Sequence, residues 1–172
     1  MFLKFFKNFF IKRKLKNTLA NVKHDLSEGM VETVGILIDE SYFTETENLI
    51  TALVKNGIQR ENISLLIYKD KIKKTEVFAH PAFSLSDISW DASIAKAEVK
   101  AFAAQKFDML ISYYDLEKGA LLLVTCTSKA KFKVGFASVD KRLNHFMINT
   151  VAEQYEVFTE ELFRYLKILN KR

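Results

Sequence analysis

The strongest constraint on this chain is a strand–helix–strand pattern between residues 34 and 68. Val34-Gly35-Ile36-Leu37-Ile38-Asp39 is a short apolar run, the form a strand takes when a sheet buries it on both faces. Thr44-Glu45-Thr46-Glu47 follows with the spacing of a capping box, in which Thr44 and Glu47 satisfy each other's free amides. The next helix turns Leu49, Ile50, Leu53 and Val54 inward and stops at Asn56-Gly57. Ile63 to Tyr68 is a second strand. A helix between two buried strands is a β-α-β unit, and such a unit implies a parallel sheet.

The alternation continues to the end of the chain. Residues 69–92 are irregular, an excursion from the sheet with room for one short strand. Residues 93–105 are Ala- and Lys-rich and helical, and Asp108 to Ser112 is a third strand. Asp115 is placed to cap a helix over 116–129, although Leu121 to Thr125 also suits a strand by composition. Phe132 to Phe136 and Phe146 to Asn149 supply further strands. The last helix sets Phe158, Leu162, Tyr165, Leu166 and Leu169 on one face. The expectation is a Rossmann-like three-layer α/β domain over residues 25–172, with a mainly parallel sheet of about four or five strands. A chain of 172 residues suits one such domain and leaves no room for two full enzyme domains.

A basic helical arm, residues 1–24, precedes that domain. Lys4, Lys7, Lys12, Arg13, Lys14, Lys16 and Lys23 fall within the first 23 residues, which contain no acid. The other 19 basic residues meet 21 acidic ones, so the net charge of +5 belongs to the arm. At about 100° per residue, Phe2, Leu3, Phe5, Phe6, Phe9 and Phe10 share one broad face. Ile11, Leu15, Leu19 and Val22 form a stripe nearly opposite. One straight helix cannot bury both stripes on one domain. The second stripe is expected to dock on the body, which leaves Phe2, Lys4, Phe5, Phe6, Lys7, Phe9, Phe10, Lys12 and Arg13 for something else.

Several chemistries lack their residues. No glycine follows the first strand, where Ile38-Asp39-Glu40-Ser41-Tyr42 stands, so neither a dinucleotide fingerprint nor a P-loop is present. His24, His80 and His145 stand far apart and Cys126 is the single cysteine, which points to no metal site and forbids an internal disulfide. Lys4 and Lys7 interrupt the N-terminal apolar stretch and no cleavage pattern follows, against a signal peptide. No apolar run approaches the ~18 residues of a membrane span. A cytoplasmic protein is expected.

Parallel sheets place ligands at the carboxyl ends of their strands. Those ends give Asp39, Ser41, Tyr113, Asp115 and Gly135 as candidate ligand contacts. Against that reading, strand-end acids commonly face water, and Asp115 already has a capping role.

Two resemblances rest on longer stretches. The Lys/Phe arm, Val34 to Ser41, Phe107 to Asp115 and Ser128 to Phe136 together resemble an uncharacterised bacterial family of about this length, which carries no established activity. Residues 107–136 alone are similar to the first half of heptosyltransferase-like glycosyltransferases. Those enzymes need a second Rossmann-like half, so this resemblance implies at most a non-catalytic relative or a partner-dependent fragment.

The residues favour a non-enzymatic binding or adaptor protein without a cofactor, whose Phe-rich basic arm meets an anionic membrane surface or a protein partner. A homo-oligomer would follow if the Phe face covers a second copy. The competing class is a small-ligand binder or enzyme working at the strand ends. A nucleic-acid or ribosome contact through the arm stands third.

Overall fold

The computed structural model describes residues 2–19, 29–73 and 75–171, without the side chains of 2–5, 14 and 16–19. The sequence expectations for the side chains of Phe2, Lys4, Phe5 and Leu19, and for Val22 and His24, lie outside the described residues. Helix α1 spans Phe2–Leu19, and the sheet begins with β1 at Val34–Asp39. There follow α2 (Thr46–Lys55), β2 (Ile63–Tyr68), β3 (Ala82–Phe83), α3 (Ala97–Ala104), β4 (Met109–Tyr113) and α4 (Gly119–Thr127). The chain closes with β5 (Phe132–Phe136), β6 (Phe146–Ile148) and α5 (Tyr155–Ile168).

The sheet is six-stranded in the order β3-β2-β1-β4-β5-β6, and every pairing is parallel. This is the Rossmann order: the chain moves one way from β1 and then returns to lay β4 on the other side of it. Val34 pairs with both Ile63 and Met109, so β1 is the central strand, and all six of its residues are buried. Helices cover the sheet in two groups, α2 with α5 and α4 with α1 and α3. The sheet has six strands rather than four or five because two-residue β3, from the irregular stretch, joins its edge.

Local signals were partly overruled. The expected capping box is not made: α2 starts at Thr46, its N-cap Glu45 makes no side-chain cap, and Thr46 donates to Glu40 at 2.7 Å. Glu47 instead pairs with Arg60. A capping box does form at Ser84 and Asp87, within the irregular stretch. Asp115 does not cap α4, whose N-cap is Lys118. The Asn56-Gly57 stop holds, with Gly57 at φ +93°, a left-handed conformation that favours glycine. The apolar stretch from Leu121 is helical and buried within α4.

Gly35 marks the closest approach to β1. A Cβ there would lie 2.6 Å from the ring of buried Phe107, which is itself backed by Phe102 at 5.1 Å between ring centroids. Gly35→Ala is therefore expected to lower stability by about 1–3 kcal/mol through overpacking. Urea denaturation reads this directly, and an unchanged midpoint would show that the Phe107 ring can yield.

Candidate functional site

The strand order places a crevice between the carboxyl ends of β1 and β4, where doubly wound sheets receive ligands. In this protein Lys118, from the segment after β4, reaches across the end of β1. Its Nζ lies 2.6 Å from Asp39 Oδ2 and 3.0 Å from Asp70 Oδ2, bridging the ends of β1 and β2. The ammonium also sits over the rings of Tyr42 and Tyr68, 4.5 and 5.1 Å from their centroids. Asp39 Oδ1 accepts from the Ser41 amide, and Ser41 Oγ accepts from the Asp70 amide. Tyr68 donates to Asp70 Oδ1, and burial, with Asp70 and Asp39 nearby, pushes its phenol pKa well up. Asp39 is buried, contrary to the expectation that it faces water.

This arrangement is hostile to phosphate. The turn after β1 carries no glycine, Glu45 and Glu47 stand at the start of α2, and buried Phe43 packs on Tyr113 at 4.9 Å. A pyrophosphate there would meet carboxylates where it needs bare amides.

The other strand-end candidates are tied into the core. Tyr113 is fully buried, packs on Phe136 and Phe158, and donates to the Ala152 carbonyl at 2.7 Å. Asp115 accepts from the Ala152 amide at 3.0 Å, so the two residues together anchor the segment that leads into α5. Gly135 lies under the buried side chain of Asn144, which occupies the space a Cβ would need. Of the five candidates, Tyr113 and Asp115 converge on Ala152, while Asp39 and Ser41 meet beside Lys118, which the sequence reading did not single out. Its signal was present: Lys118 is the one base between β4 and α4, facing Asp39 and Asp70.

Cys126 is half-buried and its thiol pKa is raised by burial, the reverse of what a nucleophile needs. His145 accepts from the Lys133 amide and stacks on Phe132. Among the described residues, no group of three His, Cys, Asp or Glu could hold a metal ion.

The second candidate is α1. It lies on α4 through Ile11 and Leu15, both buried, and crosses closely enough that a Cβ on Gly119 would meet Asn8 Oδ1 at 2.7 Å. Lys12 adds an ion pair to Glu117 at 3.1 Å. With Ile11 and Leu15 inward, a helix turns Phe6, Phe9 and Phe10 outward, within about 100° of circumference on the opposite side. They are 42%, 53% and 47% exposed. Lys7, Lys12 and Arg13 accompany them, and α1 contains no acid.

A family model covers residues 7–169, nearly the whole chain, and so spans both α1 and the sheet. The chain belongs to a family of unknown function (DUF6913). This agrees with the uncharacterised family that the sequence resembles, but it supplies no activity. No curated protein and no solved structure matches the chain, and the similarity of residues 107–136 to heptosyltransferase-like enzymes finds no support. Among the described residues, no helix is long and apolar enough to cross a membrane.

Proposed function

We propose that this member of the family is a peripheral binding protein that docks on an anionic membrane surface through the outward face of α1. The carrying observation is the exposure of Phe6, Phe9 and Phe10 on a helix whose opposite face is buried against α4. A folded domain holds these rings in place, so little ordering cost remains when they enter a new environment. Large aromatic side chains around Arg13, flanked by Lys7 and Lys12 and with no acid on the helix, fit the boundary between headgroups and acyl chains. Each basic residue near an anionic surface adds about 1 kcal/mol of attraction. The sheet acts as the platform. Its crevice supports this non-enzymatic reading, because Lys118, Asp39 and Asp70 already satisfy one another there.

The test is co-sedimentation with vesicles containing phosphatidylglycerol. A variant with Phe6→Ser, Phe9→Ser and Phe10→Ser is expected to keep its thermal unfolding transition and to lose vesicle binding. Added salt is expected to weaken the intact protein only in part, since charge attraction is screened beyond about 10 Å at 0.1 M while apolar insertion is not. Intact protein that ignores these vesicles and instead forms dimers through the Phe face would replace the membrane with a second copy of the chain.

A further inference from the structure

The tip of the turn between Ile88 and Ile94 lies beside α1. These two residues form an isolated antiparallel bridge, and the Ser89 amide donates to the Ser93 carbonyl at 2.8 Å. Asp91 accepts from both the amide and the hydroxyl of Ser93. Ala92 closes the turn at φ +57°, a left-handed conformation that a non-glycine residue keeps only where its surroundings impose it. This tightly bonded turn holds out Trp90, the single tryptophan of the chain, which is 55% exposed.

Trp90 is joined to the helix by Lys7, whose ammonium lies 5.9 Å from the indole ring centroid. Lys7 is the helical neighbour of Phe10 at i+3 and follows Phe6 directly. Indole and outward phenyl rings thus flank one lysine. We propose that Trp90 is a second membrane contact, seating at the headgroup level of the anionic bilayer that α1 enters. This rests on the membrane reading of α1. Indole is the side chain best suited to that depth, having an apolar body and one N–H donor. Asp91 lies in this turn and Asp87 just before it, with their carboxylates held by Ser93 and Ser84. Two contacts on separate segments also fix the orientation of the domain, which one helix lying in the plane would leave free to roll.

Because Trp90 is the only tryptophan, its fluorescence reports this contact alone. With phosphatidylglycerol-containing vesicles the emission is expected to shift to the blue, and brominated acyl chains are expected to quench it. Trp90→Ser should weaken vesicle affinity about five-fold with thermal unfolding unchanged, while Trp90→Phe keeps most of the affinity. Co-sedimentation without a blue shift, and with Trp90→Ser binding as well as the parent, would overturn the second contact and leave the α1 reading standing. Folded protein that does not co-sediment would overturn both.

Discussion

Lys118→Met is expected to destabilise the protein by about 3 kcal/mol, since removing one partner of a buried pair strands the other charge. Methionine keeps most of the apolar stem of Lys118 but leaves Asp39 without its counter-ion. The Asp39 side chain is only 5% exposed, so water cannot take the place of the ammonium. Asp70 is about half exposed and rehydrates at little cost. The pair Lys118→Met with Asp39→Asn should therefore recover much of the loss, because the stranded charge is gone and the amide oxygen can still accept from Ser41. Urea denaturation of the two single variants and the double variant closes the cycle. Additive losses would mean that Lys118 and Asp39 do not act as a pair.

The second large effect is at the opposite end of the sheet. Asp108 precedes β4 and binds the chain entering β1: Oδ2 accepts from the Thr33 amide at 2.9 Å, the Thr33 hydroxyl at 2.7 Å and the Glu32 amide at 3.3 Å. Lys131 reaches Oδ1 at 2.8 Å. Burial opposes the charged form, but these hydrogen bonds outweigh it and hold the carboxyl at a pKa of about 2. An unfolded aspartate titrates near 3.9, so the native state favours the ionised form by about 2.5 kcal/mol. A depressed folded pKa gives stability that is complete above pH ~4 and is lost as pH falls towards ~2. Asp108→Asn is thus expected to cost about 2.5 kcal/mol at pH 7, and its unfolding free energy should converge with that of the parent near pH 2. A gap that persists at low pH would show that the carboxylate charge is not what binds Thr33.

The parts of this architecture that were legible in sequence are those that carry a period or a long apolar run. Val34–Asp39 and Ile63–Tyr68 could be read because central parallel strands are apolar on both faces. Ala82–Phe83 could not, since two residues have no period and this strand exists only because the end of β2 offers it a partner. The Thr44–Glu47 spacing misled because α2 starts at Thr46 with Glu45 at its N-cap, which leaves Thr44 outside the helix end, and Glu47 found Arg60. Lys118 escaped notice because Glu117-Lys118-Gly119 resembles an ordinary surface turn. Its partners Asp39 and Asp70 are far off in sequence, and only the strand order brings them together. Tyr113 and Asp115 were placed correctly at a strand end, yet Ala152 returns from beyond β6 to meet both, with Tyr113 in the core and Asp115 half-buried beside it. The α1 stripes were legible from helical period, and Ile11 and Leu15 are indeed the buried side.

The most direct measurement is binding of the intact chain to vesicles of phosphatidylcholine alone and of phosphatidylcholine with phosphatidylglycerol, followed across a salt series. Strong co-sedimentation with the anionic vesicles at low salt is expected, with a residual that survives higher salt and loss of both when Phe6, Phe9 and Phe10 become serine. Folded, monomeric protein that stays in the supernatant with anionic vesicles at low salt would contradict the membrane reading of α1.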